Sequence, residues 1–254
     1  MPFVLPASVR LAPWMTSAFR GDVDLDTALT RAHPGVDDVR GDLARIREWA
    51  GLGERTVLVA LPRPGDLTGM PRAGPAACAA AAEAGECVFV AGSGGLLVPE
   101  LSRFGPAGDE GVAATWTAYD SEPVARHVLD ALSLADLERA LVDLLRRSTA
   151  ELEQVGGVPW SSDPREETDR SLAGARWGLP DELSPRAVRL MDLAARVGHI
   201  AGRGLALAGQ GASLEARSAL RRERVLRELQ AVAGTALAGS TNIAVMQLAG
   251  WRPT

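Results

Sequence analysis

The second half of the chain, from about Glu122 onward, contains no convincing strand pattern and consists of long segments with helical periodicity. The clearest segment begins after Ser133, a favoured N-cap residue, and carries one apolar stripe that ends before Gly156. Further helices are predicted to begin at Asp163, Ser184 and Ser213. Long amphipathic helices in succession favour an antiparallel helical bundle for this half of the chain.

The first half mixes strand and helix patterns. Its predicted strands are Thr56–Leu61, Cys87–Ala91, a run from Leu96 and Val112–Asp120, with Phe3–Leu11 as an irregular edge strand. Its predicted helices follow Asp24, cover the amphipathic segment from Val36 to Trp49, and cover Ala76–Gly85 with Pro75 in the first turn. We expect a mixed, partly antiparallel sheet with flanking helices and at most one parallel crossover, through the alanine-rich helix.

These two halves predict an α+β fold. Residues 1–121 form a mixed α/β region and residues 122–254 a helical region, and we expect the two to pack together as one compact unit. A chain of 254 residues, of which 46% are hydrophobic, is long enough for such a core.

Composition excludes several kinds of chemistry. The 27 basic residues are all arginine, a bias typical of a GC-rich bacterial genome, and without lysine there is no Schiff-base or P-loop lysine. A net charge of −5 argues against a nucleic-acid-binding protein. Two cysteines without a C-x-x-C motif, and three histidines, argue against a structural zinc site. The N-terminus lacks the pattern of a signal peptide, so we expect a cytoplasmic protein with reduced thiols.

The connection Leu61–Pro75, between a predicted strand and a predicted helix, is about twice the usual length. Four prolines and three glycines predict an ordered loop in which the backbone can approach a ligand closely. Its polar side chains could bind a small anion together with the start of the following helix. These candidate ligand-binding residues are Arg63, Asp66, Thr68 and Arg72.

The same loop has a purely structural interpretation. Its glycine spacing matches neither a dinucleotide-binding fingerprint nor a P-loop, and Pro75 removes one donor from the helix start. On this interpretation the loop is a rigid connection that packs Leu67 and Met70 onto the sheet.

No other motif predicts a catalytic residue, a metal site or a cofactor. Ser93 lies in a Gly-Ser-Gly-Gly run that is typical of a tight turn. His33 is expected to interact with a helix C-terminus and His199 to lie in a core or interface. The acidic runs at Asp22–Asp26 and Arg165–Asp169 lack the pattern of a calcium loop. The arginine-rich run Arg221–Glu228 is typical of a solvated helix face.

The segment from Ala231 to Trp251 carries no charge and is rich in small residues. Its five polar residues argue against a membrane span, although its length would suffice for one. Two such helices can pack closely, which predicts a tight helical core or a self-association surface. Asn242 within it would need hydrogen-bond partners, either at a helix junction or in a specific polar contact.

The sequence therefore leaves two hypotheses for function. The first is a non-enzymatic interaction or assembly protein that forms a homo-oligomer, or binds a protein partner, through its C-terminal helices. The second is a protein or enzyme that binds a small anionic ligand at the Leu61–Pro75 loop. Neither hypothesis involves nucleic acid or a membrane.

Overall fold

A computed structural model describes residues 4–106, 108–155, 177–208 and 216–253. It confirms the predicted α+β fold, with a five-stranded mixed sheet and a C-terminal helical region. The chain divides into two compact units. The helical unit holds the described residues of Met1–Leu5, Ser133–Trp177 and Arg189–Leu237, and the sheet unit holds those of Pro6–Leu132, Gly178–Val188 and Ala238–Thr254. The boundary at residues 121 and 122 stays a prediction.

The described residues form the following elements, in chain order. The helices are α1 (Ala7–Arg20), α2 (Leu25–Ala32), α3 (Ala44–Gly51), α4 (Pro75–Ala84), α5 (Arg126–Asp130), α6 (Leu134–Val155), α7 (Pro185–Ala208) and α8 (Ala216–Leu248). The strands are β1 (Asp38–Gly41), β2 (Leu58–Ala60), β3 (Cys87–Phe89), β4 (Leu96–Phe104) and β5 (Gly111–Tyr119). The predicted helix from Asp163, the glycine pair at Gly156 and the predicted start at Ser213 lie outside the described residues.

The sheet has the strand order β1-β5-β4-β3-β2. The pairs β2–β3, β3–β4 and β4–β5 are antiparallel, and β1–β5 is parallel. The alanine-rich helix α4 joins two antiparallel strands, so it is not a parallel crossover, which agrees with the expectation of at most one there.

Helix α1 replaces the edge strand that was predicted over Phe3–Leu11. Leu11 and Met15 on this helix are fully buried, and Pro13 lies inside it. The proline lacks an N–H and so discourages a helix locally. Tertiary packing of α1 on both α2 and the sheet overrides that local preference.

The predicted helix from Val36 to Trp49 is correct only in its second half, where it corresponds to α3. Its first half forms β1, which pairs with β5. Gly41 ends this strand with a φ of 104°, and a Cβ there would lie 2.1 Å from the Trp116 carbonyl oxygen. Only glycine fits this position, because the parallel partner strand passes so close.

Asn242 of α8 closes the outer edge of the sheet at β2. Its Oδ1 accepts from the Val59 N–H at 2.7 Å, and its Nδ2 donates to the Val59 carbonyl at 2.9 Å. Helix α8 is continuous through this residue, so Asn242 makes a specific polar contact and does not mark a helix junction. One side-chain amide thus satisfies the two backbone groups that an edge strand would otherwise leave unpaired.

In the helical unit, α7 and α8 pack closely through small residues. A Cβ on Gly198 would lie 3.6 Å from Ala233 Cβ, and a Cβ on Gly202 would lie 3.4 Å from Gln230 Nε2. These contacts show that α7 and α8 run antiparallel here, and that their small residues face each other within the chain. At the start of α6, the Ser133 hydroxyl accepts from the Asp136 N–H, which confirms Ser133 as the cap.

Candidate functional site

The Leu61–Pro75 loop begins with a closed turn. Arg63 and Asp66 exchange two backbone hydrogen bonds, with the Arg63 N–H donating at 2.7 Å and the Asp66 N–H at 2.9 Å. Pro64 and Gly65 stand between them, and Gly65 has a φ of 85°. Proline followed by glycine with positive φ is typical of a type II turn. The prediction of an ordered loop is therefore consistent with its hydrogen bonds.

Two of the predicted ligand-binding residues serve this local structure. The Asp66 carboxylate accepts from the Thr68 N–H at 3.0 Å. The Thr68 side chain and backbone hold the pKa of Asp66 below its ordinary value, with Arg63 adding to the same effect. Both Asp66 and Thr68 are exposed. Their immediate role is to stabilise the turn.

The two arginines of the loop lie in different surroundings. Arg63 is half-buried, and its burial lowers the pKa of the guanidinium, although the nearby Asp66 carboxylate opposes that shift. Arg72 is exposed, and its carbonyl accepts from the Glu122 N–H at 2.8 Å. The structure thus gathers Arg63, Asp66 and Thr68 in one turn and places Arg72 farther along the loop. Leu67 is exposed and only Met70 is half-buried, so the prediction that Leu67 packs onto the sheet is wrong.

A buried carboxylate lies beside the base of this loop. Ala60 pairs with Cys87, so the next positions, Leu61 and Glu86, lie side by side where the loop leaves β2. Glu86 is 9% exposed and its Oε2 accepts from the Ser8 N–H of α1 at 2.7 Å. The Ala7 N–H is a second donor to this carboxylate. Glu86 therefore caps the N-terminus of α1 from a distant part of the chain.

Arg10, two residues after Ser8 on α1, is a buried charged residue of the sheet unit. It is 3% exposed, and neither its Nε nor its Nη1 has a hydrogen-bond partner among the described residues. Burial lowers the pKa of this guanidinium, and the Glu86 charge opposes the shift. Burial also raises the pKa of Glu86, which its N–H donors and Arg10 counteract only in part. We name the pair the Arg10–Glu86 site.

His33, at the end of α2, is the third ionisable group of this region, and it is neutral. Its Nε2 lies 3.1 Å from Trp116 Nε1, which can only donate, and its Nδ1 lies 2.8 Å from the Leu29 carbonyl, which can only accept. The single proton must therefore be on Nδ1. Burial lowers the pKa of His33, and the positive charge of Arg10 lowers it further.

This hydrogen bonding predicts a pH-dependent contribution to stability. Because the pKa of His33 is lower in the folded state, its contribution is fully present above about pH 6.5 and is lost as the pH falls toward the folded-state pKa. Above pH 6.5 we expect wild type to be more stable than His33→Gln. Below pH 6.5, the difference in unfolding free energy between wild type and His33→Gln should shrink by up to about 1.4 kcal/mol per pH unit.

Urea denaturation of both proteins from pH 8 to pH 5, followed by tryptophan fluorescence, measures this difference. All other titrating groups are common to the two proteins, so their effects cancel in the difference between the two unfolding free energies. A difference in unfolding free energy that stays constant over this range would contradict the assignment.

The remaining candidates from the sequence have structural roles. The Ser93 N–H donates to Glu54 Oε1, and Ser93 lies in the turn between β3 and β4, as predicted. His199 is half-buried on α7, where burial, and after it Arg203, lower its pKa. Asp24 caps α2 by accepting from Thr27, and Arg165–Asp169 lies outside the described residues. No group of metal-ligating side chains occurs in the described parts of the chain.

The uncharged segment predicted as a core or an association surface is mostly buried within the chain. In the sheet unit, the buried residues include Ser240, Thr241, Ile243 and Met246. Within the described residues, no helix is long and apolar enough to cross a membrane.

In the arginine-rich run Arg221–Glu228, which was predicted as a solvated helix face, Arg221 and Arg224 contact Glu151 of α6, and Arg227 pairs with Glu223.

Neither Arg10 nor Glu86 was predicted from the sequence as a site residue. A usable signal was present for Arg10, because it is the only charged residue in the first nineteen. A lone charge among apolar and small residues indicates a buried or functional position. Glu86 follows Gly85 and precedes an apolar strand, but nothing local reveals that its carboxylate reaches α1.

Comparison with known proteins places the chain in one family. Residues 8–131 match the N-terminal domain of the Rv1486c-like protein family, and residues 135–238 match its C-terminal domain. No curated protein and no solved structure matches the chain. Since the two domain matches follow each other in order and cover most of the sequence, the chain belongs to the Rv1486c-like protein family.

Proposed function

We propose that the protein binds a small anion at the Arg10–Glu86 site, beside the base of the Leu61–Pro75 loop. The observation that carries the proposal is the guanidinium of Arg10, buried with its Nε and Nη1 donors unpartnered. This proposal is a more specific form of the anionic-ligand hypothesis drawn from the sequence.

A buried guanidinium with two unpartnered donor atoms is unfavourable for folding. Removing an ion from water costs several kcal/mol, and hydrogen bonds or an opposite charge must offset that cost. Glu86 offers Arg10 its electrostatic attraction, but its Oε2 accepts from the Ser8 N–H of α1. A bound oxyanion would supply the acceptors that Nε and Nη1 lack.

The loop residues Arg63, Asp66, Thr68 and Arg72 are proposed to form the outer part of the same site. Pro62 is buried, and its carbonyl oxygen lies 4.0 Å from the position of a Cβ on Gly85, the residue before Glu86. Arg63 follows Pro62 directly and is half-buried, so a second cation is held in the turn that begins at the base of the loop. Asp66 and Thr68 support this arginine by fixing the turn, and exposed Arg72 attracts the anion from solution.

Ligand-dependent thermal stability tests the proposal. Formate, acetate, phosphate and sulfate are added singly to the protein in an oxyanion-free buffer at constant ionic strength. We expect at least one of them to raise the melting temperature, because a ligand that binds only the folded state stabilises it by about 2.7 kcal/mol at a hundredfold excess over Kd.

Arg10→Met should abolish this rise, and Arg63→Ala should reduce it. The matched control is Arg146→Met, which removes the same charge from an exposed position on α6 and should keep the full response. The proposal fails if no anion stabilises the wild type, or if Arg10→Met responds as the wild type does.

A second candidate is the interaction or assembly function, with a homo-oligomer or a protein partner contacted through the C-terminal helices. It is favoured by the exposure of Leu220 on α8 (66%) and Ile200 on α7 (41%). Native mass spectrometry tests self-association, and a monomer at all concentrations would exclude it. The free thiols of Cys78 and Cys87 support a cytoplasmic location, which remains a proposal.

A further inference from the structure

We propose that the Arg10–Glu86 site binds a monovalent oxyanion together with one proton, which Glu86 takes up. This inference rests on the proposed function and adds to it the charge class of the ligand and the coupling of binding to pH. It follows from the charges that the buried region can hold at the same time.

The charged groups of the site form a short inventory. Arg10 on α1 carries one positive charge, and Glu86, which precedes β3, carries one negative charge when ionised. His33 on α2 is neutral because both of its nitrogens are committed in hydrogen bonds. Cys87 beside Glu86 is neutral as well, since burial raises the pKa of its thiol to about 12, and Cys78 of α4 is a further thiol near it.

Ionised Glu86 and a bound anion compete for the same positive charge. Arg63 and Asp66 in the outer part of the site carry opposite charges, and Arg72 is exposed to water, so these residues add no net buried charge. Arg10, ionised Glu86 and a monovalent anion would therefore leave one net negative charge where Arg10 is only 3% and Glu86 only 9% exposed. Such an uncompensated charge is costly in a medium of low dielectric constant. A proton on Glu86 restores neutrality, so the anion and the proton should enter together.

The burial of Glu86 makes this uptake feasible. The carboxyl group is already easier to protonate than an exposed glutamate, because burial raises its pKa. An anion beside it would raise that pKa further. By linkage, protonation of Glu86 must then strengthen anion binding to the same extent.

Charge balance also determines which anions fit. A monovalent carboxylate with a protonated Glu86 leaves the site neutral, whereas a divalent anion leaves it negative even then. The site should therefore prefer formate or acetate to sulfate at equal concentration. We expect a preference of about tenfold or more, because one unbalanced charge in a buried site is worth at least one unit of pKa.

Isothermal titration calorimetry of the full chain with formate, acetate and sulfate tests the inference. Titrations in two buffers of different ionisation enthalpy give the number of protons taken up. We expect about one proton per carboxylate at pH values where Glu86 is ionised in the free protein and protonated in the complex, and over that range a Kd that rises about tenfold per pH unit. Glu86→Gln should bind the carboxylates without proton uptake and with a pH-independent Kd.

The outcomes distinguish a failure of proton coupling from a failure of the proposed anion binding. If none of the three anions binds and phosphate does not stabilise the protein either, the proposed function fails. If carboxylates bind without proton uptake and with a flat pH profile, or if sulfate binds more tightly, anion binding stands and proton coupling is wrong. The wild-type pH profile and the comparison with sulfate decide the matter even if Glu86→Gln does not fold.

Discussion

Asn242→Leu should lower the free energy of unfolding of the sheet unit by about 2–6 kcal/mol. Val59 is 1% exposed, and Asn242 is the partner of both its N–H and its carbonyl. Leucine has similar volume but no polar atoms, so two buried backbone groups lose their partners. Each such group costs about 1–3 kcal/mol. Urea denaturation followed by tryptophan fluorescence measures the change.

Two further variants show whether the hydrogen bonds are responsible. Thr235→Leu changes an exposed polar residue of the same helix and should alter stability by less than about 0.5 kcal/mol. Asn242→Asp keeps the acceptor for the Val59 N–H but places a carboxylate oxygen against the Val59 carbonyl. It should be destabilised at pH 7 and recover as the pH falls, because a protonated carboxyl can donate to that carbonyl. A loss below about 1 kcal/mol for Asn242→Leu would contradict the role of Asn242 at the sheet edge.

The elements that could be predicted from the sequence are those that local chemistry determines. Helix α4 begins at Pro75 and ends before Gly85, α2 is capped by Asp24, and α6 follows the Ser133 cap. In each case the residues that end or start the helix lie next to it in the chain. The apolar runs that form β2 to β5 could also be located, because each run is continuous in the sequence.

The errors lie where distant residues override local preference. Helix α1 contains Pro13 and has proline at its N-cap, yet Glu86 binds its first N–H groups from 78 positions away. The strand β1 forms because β5 lies beside it, and Gly41 fits only because of that neighbour. A sequence window of about a dozen residues shows neither the Glu86 cap of α1 nor the β5 neighbour of β1, because both partners lie far away in the chain.

The candidate site shows the same division. The order of the Leu61–Pro75 loop was predictable from its prolines and glycines, since these act on the backbone directly. The buried charge of Arg10 and the cap formed by Glu86 depend on α1 and the residue just before β3, which meet only in the folded chain. The sequence could indicate Arg10 as an isolated charge, but not that its Nε and Nη1 lack partners.

Arg10→Met should leave the protein as stable as the wild type, or more stable by about 1–4 kcal/mol, in a buffer free of oxyanions. Methionine fills a similar volume and removes the unpartnered donors of the guanidinium. Replacing a buried ion pair by apolar side chains of similar volume is often neutral or stabilising, and we expect the same of Arg10 alone because two of its donor atoms lack partners. Glu86 keeps the N–H donors of Ser8 and Ala7, so its carboxylate is not left without partners.

The opposite result is equally informative. If Arg10 and Glu86 were mainly a structural ion pair, removal of the arginine would cost about 3–5 kcal/mol, as for other broken buried pairs. Glu86→Gln combined with Arg10→Met would then recover much of that loss, because the stranded charge would be gone. Measuring both single variants and the double variant gives the coupling energy of the pair. A small coupling together with a stable Arg10→Met variant means that folding does not require the buried guanidinium, which leaves ligand binding as the reason for its position.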